Sequence, residues 1–247
     1  MDKVLVTGGA GFIGSNVVDL LIENNYEVVI VDDLSHGKPE NINSEAKFHK
    51  LDIRDPKLDE IFREETPDFV VHHAAQIDVR KSLVDPELDA RINILGSLNL
   101  LDCCKNHSIE KIVYASTGGA IYGEPQYLPA DEAHPQDPLS PYGASKLAVE
   151  KYLHIYKNLH GLDYIALRYA NVYGPRQDPL GEAGVVAIFT RKMMGGENVV
   201  INGDGEQTRD FVFVGDVTRS NLLSLKKKPC GNIFNIGSGI KTTVNDI

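Results

Sequence analysis

Tyr142 and Lys146 are the side chains of this sequence best suited to acid–base chemistry. They are four positions apart on a segment predicted to be helical, so they share one face, one turn apart. A free phenol has a pKa of about 10, and lowering it by about three units takes roughly 4 kcal/mol. One ammonium at about 4 Å supplies about that much at an effective dielectric of ~20. The pair can therefore act as a general base.

The position of Tyr142 and Lys146 along the chain supports a functional role more strongly than their spacing does. Of the ten tyrosines, only Tyr142 has a lysine four positions on, but chance supplies such pairs readily. The helix predicted over 141–160 follows a fifth strand predicted over 111–116. That strand runs into Ser116 and Thr117, whose hydroxyls would lie beside a substrate oxygen or satisfy backbone groups at the strand end.

A glycine-rich turn near the N-terminus predicts where a cofactor binds. Residues 4–6 are an apolar run of strand type, Gly8, Gly11 and Gly14 follow, and an apolar stripe with helical spacing comes next. Gly8 permits a tight turn, Gly11 lets the backbone approach a pyrophosphate, and Gly14 lets helix and strand pack closely. The helix N-terminus offers free N–H groups to the anion. Spaced glycines alone also occur in ordinary turns.

The next predicted strand, 26–31, strengthens the dinucleotide interpretation because it ends at Asp32. A carboxylate there accepts hydrogen bonds from the adenosine ribose and repels a 2′-phosphate, which favours NAD over NADP. The polar loop 33–39 then either lies along the adenosine or is plain surface. The cofactor is predicted to be NAD.

A third strand at 47–50 leads to Asp52 and Ile53 at the carboxyl edge of the predicted sheet. That edge borders the adenine pocket in a doubly wound fold. Asp52 could hydrogen-bond the adenine amino group while Ile53 packs on the ring.

The fourth strand, 69–72, ends in small residues that let a cofactor lie against the backbone. His72 and His73 point to opposite faces and have no acidic or sulfur partner at suitable spacing, so structural histidines are favoured and no metal is predicted. One long helix is predicted over 86–106. Asn93 within it either reaches the cofactor loop or is a buried amide that bridges helices.

The alternation of strands and helices predicts an α/β fold, a Rossmann-type doubly wound parallel sheet with a small, incomplete C-terminal substrate lobe. We expect an NAD-binding domain over 1–175 and part of a substrate-binding lobe over 176–247, with 210–240 returning a strand to the main sheet. The 247 residues suffice for a well-buried core.

Composition limits the partners. The formal net charge of −10 argues against a nucleic-acid partner, because no basic face is available to neutralise phosphates. No apolar run approaches the roughly 20 residues that span a bilayer, so no membrane association is expected. The chain enters a strand within three residues, which predicts no signal peptide. The three cysteines show neither disulfide nor metal spacing, which fits a reducing cytoplasm.

Three motifs together resemble the extended short-chain dehydrogenase/reductase superfamily: 7–14 (TGGAGFIG), 142–146 (YGASK) and 167–175 (LRYANVYGP). With 73–76 and 202–211 they are most similar to NAD-dependent UDP-glucose 4-epimerases of the bacterial type, over essentially the whole chain. The resemblance implies an isomerase of galactose and carbohydrate metabolism that interconverts UDP-glucose and UDP-galactose through a 4-keto intermediate with bound NAD. It also implies a homodimer formed through helices 86–106 and 140–160.

The resemblance assigns Tyr142 as the catalytic base, Lys146 as its partner, and Thr117 with Ser116 beside it as the hydroxyl site. Together with the pattern above, it predicts a set of cofactor-binding residues: Gly8, Gly11, Phe12, Ile13, Gly14, Asp32, Asp33, His36, Gly37, Asp52, Ile53, Ala74, Ala75, Gln76, Asn93, Tyr142, Lys146 and Tyr169.

The same resemblance implies a UDP-sugar-binding site formed by Thr117, Tyr142, Asn171, Val185, Asn202 and Arg209. Asn171 and Arg209 match residues that contact the diphosphate, and 200–202 matches a uridine-facing strand. Members of the family continue beyond the segment that 235–247 matches. We therefore expect a complete NAD site and an incomplete sugar-nucleotide site.

Gly118 and Gly119 separate this chain from sugar-nucleotide 4,6-dehydratases, which resemble it but place an acidic pair after the threonine to eliminate water. Two alternatives stay open. The first is a 4-epimerase for another sugar nucleotide, a UDP-N-acetylhexosamine or a UDP-uronate. The second is a non-catalytic NAD-binding protein.

Overall fold

The structure, a computed structural model, describes residues 1–179, 184–226 and 231–247. Its strands are β1 (Lys3–Thr7), β2 (Glu27–Asp32), β3 (Lys47–Lys50), β4 (Phe69–His72), β5 (Lys111–Thr117), β6 (Asp163–Tyr169), β7 (Asn171–Tyr173), β8 (Thr208–Arg209), β9 (Phe211–Phe213), β10 (Asn232–Ile236) and β11 (Thr242–Thr243). Its helices are α1 (Phe12–Glu23), α2 (Leu58–Glu65), α3 (Val79–Val84), α4 (Pro86–Ala90), α5 (Ser97–Asn106), α6 (Gly118–Ile121), α7 (Pro141–His160), α8 (Val185–Met194) and α9 (Val214–Lys226).

Seven strands form one parallel sheet in the order β10-β6-β5-β4-β1-β2-β3. The strand order reverses between β1 and β4, which creates a crevice at the carboxyl ends of these strands. This arrangement confirms the predicted Rossmann-type fold. The strand β10 pairs with β6 at the edge of the sheet.

Apolar side chains on both faces of the sheet explain why its strands read as almost continuous hydrophobic runs. One face packs against α2, α5 and α7, with Phe62, Leu101 and Leu153 in its core. The other face packs against α1 and α9, with Val17 and Leu222 in its core. The helices therefore cover both faces of the sheet and leave its carboxyl edge open.

The helix predicted over 86–106 is continuous in the structure but not uniform. A π-helical segment, Arg91–Gly96, joins α4 to α5. Within it the Asn93 carbonyl accepts a hydrogen bond from Ser97 Oγ at 2.6 Å. The extra residue in the turn changes which side chains face the sheet, and helical periodicity alone could not reveal it.

The prediction of a strand at 200–202 is wrong. These residues form no strand, and Val200 is 66% exposed. A strand needs a neighbour to satisfy its backbone groups, and the nearby ladder is taken by β8 and β11, which pair antiparallel. The strands β7 and β9 form a second short pair, in parallel.

In the described part of the chain, no helix is both long and apolar enough to cross a membrane.

Candidate functional site

A cleft of about 440 Å³ opens at the carboxyl edge of the sheet, over the reversal between β1 and β4. We call it the cofactor cleft. Every predicted cofactor-binding residue except Asn93 lines it. Its wall is built from the glycine turn after β1, the loops after β2, β3 and β4, and the start of α7.

The glycine turn explains how a pyrophosphate could lie against the backbone. Gly8 has a φ of +70°, and a Cβ placed there would lie 2.6 Å from the backbone nitrogen of Ala74. A Cβ at Gly14 would lie 2.1 Å from the carbonyl oxygen of Gly8. Helix α1 begins at Phe12, and its N-cap, Gly11, makes no side-chain capping bond. The N–H groups of its first turn therefore face the cleft without a side-chain competitor.

Asp32 lies at the end of β2 with its side chain almost buried. Its two oxygens accept hydrogen bonds from the backbone N–H of Ala10 at 3.0 Å and of Leu34 at 2.8 Å. Burial raises the pKa of Asp32, and the two N–H groups oppose that shift. The fixed carboxylate keeps lone pairs available for the ribose hydroxyls of a dinucleotide.

Asp52 and Ile53 line the part of the cofactor cleft where the adenine is predicted to bind. Asp52 pairs with Arg54, whose Nε donates to both carboxylate oxygens at 3.0 Å. This hydrogen bonding lowers the pKa of Asp52. Ile53 is buried against Gly96, where a Cβ would lie 2.8 Å from the Ile53 Cδ1 atom. The sequence indicated Asp52 but not the arginine that shares its carboxylate.

Tyr142 and Lys146 line the opposite end of the cleft. Pro141 starts α7, and the Ser140 hydroxyl accepts a hydrogen bond from the Gly143 N–H, so the first turn is fixed where Tyr142 lies. Lys146 Nζ donates to the Ala115 carbonyl at 2.9 Å and lies 5.9 Å from the centre of the Tyr142 ring. Burial lowers the pKa of Lys146 to about 8. A buried ammonium therefore lies beside the phenol near neutral pH.

His73 and Tyr169 form a wall between the two ends. Their rings stack at 6.1 Å, and His73 Nε2 lies 3.2 Å from the Tyr169 hydroxyl. The same hydroxyl accepts a hydrogen bond from Asn221 Nδ2 at 2.8 Å. Burial lowers the pKa of His73 to about 3, so the imidazole is neutral. The sequence predicted a structural role for His73. Its position directly after β4, next to the predicted cofactor-binding residues Ala74 and Ala75, was the signal that could have placed it in the cleft.

Ser116 and Thr117 have different surroundings. The buried Ser116 hydroxyl donates to Glu150 Oε1 at 2.6 Å, and Glu150 also pairs with Arg168. Thr117 is partly exposed at the end of β5 and, as the N-cap of α6, makes no side-chain capping bond.

Asn93 supports the cofactor cleft from behind rather than lining it. Its Oδ1 accepts a hydrogen bond from the Gln76 N–H at 2.8 Å, and its Nδ2 donates to the Gln76 carbonyl at 2.9 Å. Of the two roles left open by the sequence, the structure shows the first: the buried Asn93 amide reaches the loop after β4, which lines the cofactor cleft.

The predicted sugar-nucleotide residues are dispersed. Val185 and Asn202 line a second cavity of about 380 Å³, with Ile188, Phe189, Lys192, Val200, Ile201, Gln207 and Val244. Asn171 is exposed and donates to the Asp210 carbonyl at 3.1 Å. Arg209 is exposed in β8, and its Nη1 donates to the Thr208 carbonyl at 2.7 Å. Neither residue lines the second cavity.

Sequence reasoning missed an outer rim on the cofactor cleft. Lys38 pairs with Asp178 at 3.4 Å, and both line the cleft. Arg176, beside Asp178, pairs with Asp19 on α1 at 2.6 Å. Nothing in local sequence joins residues so far apart. Among the described residues, no group of three or more His, Cys, Asp or Glu side chains could hold a metal ion.

Comparison with known proteins agrees with this geometry. Residues 4–237 match the model of the NAD dependent epimerase/dehydratase family. A putative UDP-glucose 4-epimerase of Methanocaldococcus jannaschii is 54% identical over 99% of this chain and 79% of its own length.

Two solved structures are similar over 99% of this chain and 79% of their own. One is the UDP-glucose 4-epimerase of Thermotoga maritima with UDP-glucose, at 52% identity and a TM-score of 0.96. The other is the UDP-N-acetylglucosamine 4-epimerase of Methanobrevibacter ruminantium with UDP-N-acetylmuramic acid, at 40% identity and a TM-score of 0.93.

Proposed function

Because this chain belongs to the NAD-dependent epimerase/dehydratase family, we propose that it interconverts UDP-glucose and UDP-galactose by inverting the configuration at C4 of the hexose. The observation that carries the proposal is the Tyr142–Lys146 pair at one end of a glycine-cradled cleft. The names of the M. jannaschii and T. maritima relatives support the same reaction.

The cofactor cleft has the donors and acceptors that NAD requires. The turn from Gly8 to Gly14 would hold the pyrophosphate and Asp32 the adenosine ribose. Ile53 would pack on the adenine, and Lys146 would hold the nicotinamide ribose. Bound NAD would supply a hydride acceptor, and then a hydride donor, for C4 of the hexose, which corresponds to a 4-keto sugar nucleotide as the intermediate.

Tyr142 moves the proton that accompanies this chemistry. As a phenolate it accepts the proton of the 4-hydroxyl group, and the Lys146 ammonium stabilises that phenolate. We assign the hydrogen bond to the 4-oxygen to Thr117, because the Ser116 hydroxyl is already donated to Glu150. Ser116 then fixes the end of β5 from behind.

The sugar must present both faces of C4 to the same cofactor face, so its anchor must lie away from C4. Arg209 and Asn171 would bind the diphosphate, where a guanidinium suits phosphate oxygens. Val185 and Asn202, in the second cavity, would contact the uridine. No acidic residue stands at Gly118 or Gly119 to eliminate water, which disfavours a 4,6-dehydratase.

The test is a substitution that removes one hydroxyl. Tyr142→Phe should reduce UDP-galactose turnover at least about 1,000-fold, since a phenyl ring cannot take the proton, while the purified protein keeps its NAD. Tyr156→Phe, on the same helix, removes a hydroxyl that donates to Asp102 and should retain most activity. Equal activity of the two variants would remove Tyr142 from this role.

A second candidate is the same reaction on UDP-N-acetylglucosamine. The M. ruminantium relative favours it, because that protein is a UDP-N-acetylglucosamine 4-epimerase of closely similar fold. Assaying UDP-galactose and UDP-N-acetylgalactosamine in parallel decides between them, with the larger kcat/KM naming the substrate.

We also propose a homodimer in the cytoplasm. Ile155 and Leu159 are one turn apart on α7 and exposed, as is Leu95 on the adjacent π-helical segment. Two copies could bury these side chains against each other. Leu159→Glu should shift the mass in light scattering to that of a monomer, whereas Met194→Glu on α8 should not. The free thiols of Cys103 and Cys104 support a reducing compartment.

A further inference from the structure

Asp89 is a fully buried carboxylate that the mechanism above does not use. Its Oδ1 accepts hydrogen bonds from Gln76 Nε2 and Asn93 Nδ2, both at 3.0 Å. Its Oδ2 accepts one from Ser145 Oγ at 2.6 Å. All three donors are neutral, so they solvate the negative charge without cancelling it. A buried charge of this kind acts on its surroundings over a longer range than an exposed one.

The three donors place Asp89 behind the catalytic end of the cofactor cleft. Gln76 lines the cleft after β4, and its side chain is held at both ends, since its Oε1 also accepts from the Asp78 N–H at 2.6 Å. Ser145 immediately precedes Lys146 on α7. One carboxylate therefore joins the loop after β4 to the helix that carries the catalytic pair.

Ionisable groups from several elements surround Lys146: Asp89 on α4, Tyr142 and Glu150 on α7, Tyr114 on β5, and His72 and His73 at the end of β4. Burial lowers the pKa of both histidines, so neither carries a charge at neutral pH. Burial also lowers the pKa of Lys146, and the charges of Asp89 and Glu150 oppose that shift.

The two carboxylates differ in what they can offer the lysine. Glu150 is matched by Arg168, whose Nε and Nη2 donate to its two oxygens at 2.9 and 2.6 Å. The guanidinium opposes the effect of the Glu150 charge on Lys146, and of the two carboxylates Asp89 raises the pKa of Lys146 more. Asp89 accepts its hydrogen bonds from neutral donors, so no cation opposes its charge in the same way.

We propose that Asp89 is a positioning residue for the catalytic pair: its buried carboxylate fixes Gln76 and Ser145 beside the cofactor cleft and keeps the Lys146 ammonium protonated at neutral pH. The inference rests on the proposed function only for its catalytic consequence, because the charge of Lys146 can be measured without turnover.

The test compares a variant that loses the charge with one that loses a hydrogen bond. Asp89→Asn keeps the size of the side chain, and Ser145→Ala removes one donor but leaves the carboxylate. The titration of Lys146 is followed by NMR of protein carrying ¹³C at the lysine Cε, with its signal assigned through its absence in Lys146→Met. Asp89→Asn should lower the Lys146 midpoint by roughly 0.5 to 1.5 pH units, and Ser145→Ala should leave it in place.

The second measurement is the pH dependence of kcat for UDP-galactose. In Asp89→Asn, the pH at which kcat falls on the alkaline side should shift together with the Lys146 midpoint, while KM changes little. A uniform fall in kcat at every pH, with an unmoved midpoint, would overturn the inference and leave Asp89 a structural residue. A shifted midpoint in a protein inactive on every UDP-sugar would instead refute the proposed function and leave the inference intact.

A double variant keeps the test decisive if Asp89→Asn alone does not fold. Lys146→Met removes the cation that Asp89 balances, so Asp89→Asn/Lys146→Met should recover folding and melt higher than Asp89→Asn. A double variant as unstable as the single one would show that the hydrogen bonds of Asp89, and not its charge, matter.

Discussion

The cofactor cleft and the second cavity are built in opposite ways. The cleft lies on the carboxyl edge of a seven-stranded sheet, and its critical contacts come from backbone, as at Gly8 and Gly14. The second cavity lies among a helix, loops and two-residue strands, and Val200 and Ile201 in its lining are exposed. The cofactor cleft therefore depends on main-chain geometry that tolerates few changes, whereas the proposed sugar-nucleotide contacts come from side chains that can be exchanged singly.

The largest effect should come from removing the ammonium in the cofactor cleft. Lys146→Met should lower turnover about 1,000-fold, because roughly three pKa units of phenol activation are lost. Lys151→Met on the same helix, where the lysine is exposed and bonded to Gln136, should retain activity. The kcat values of the two variants, measured side by side, compare the loss of a buried cation with the loss of an exposed one.

Lys146→Met should also change the stability of the folded protein, in a direction that follows from the pKa of Lys146. The pKa of Lys146 is about 8 in the folded protein, below the ordinary value of about 10.4 for an unfolded chain. Between these values the unfolded chain binds more protons, so the contribution of Lys146 to stability rises with pH and is least favourable below pH 8. Lys146→Met should raise the melting temperature at pH 7 and flatten its rise from pH 8 to 10. A lower melting temperature at pH 7 with a wild-type pH dependence would contradict this.

A methyl group added to the glycine turn should have the next largest effect. Gly14→Ala places a Cβ 2.1 Å from a backbone oxygen, which forces the turn to move. Overpacking of this kind costs about 1–3 kcal/mol, so NAD affinity should fall about 10- to 100-fold by calorimetry. Gly195→Ala, in the C-cap of α8, meets nothing closer than 3.4 Å and should leave NAD binding unchanged. Similar losses of NAD affinity in Gly14→Ala and Gly195→Ala would contradict the contrast between the cofactor cleft and the second cavity.

Asp32→Asn tests a side-chain contact, rather than a backbone contact, within the cofactor cleft. Both carboxylate oxygens accept backbone N–H groups, so an amide must turn an NH₂ toward one of those donors. NAD should bind about 10-fold more weakly and its preference over NADP should shrink, since hydrogen bonds to charged groups contribute about 1.5–3 kcal/mol. Asp102→Asn, at an exposed aspartate on α5 that does not line the cleft, is the control. An unchanged ratio of NAD to NADP affinity would remove Asp32 as the discriminating residue.

The smallest effect is expected outside the cleft. Arg209 is exposed, so Arg209→Ala should raise KM for the UDP-sugar about 3- to 10-fold, with NAD affinity unchanged, because one exposed charge contributes about 1 kcal/mol. Steady-state kinetics with NAD titration on the same sample separates the two. A loss of NAD binding instead would show that the two regions are not independent.

The sequence predicted most reliably what depends on backbone geometry. The glycine turn and the strand ending at Asp32 follow from residue type and spacing, and the predicted doubly wound parallel sheet is confirmed. Asn93 could not be placed, because a π-helical segment sets the direction of its side chain. The strand at 200–202, which the family resemblance implied, was wrong, because a short strand needs a pairing partner and β8 and β11 pair with each other. Lys38 and Asp178 meet only through the fold, which no local pattern encodes.

Substrate carrying deuterium at C4 tests the central claim most directly. UDP-galactose labelled there should give UDP-glucose that keeps the deuterium at C4, with no NADH released, because the hydride returns to the carbon it left. Product that has exchanged its label with solvent, or NADH accumulating in proportion to product, would show that this cleft performs a different reaction.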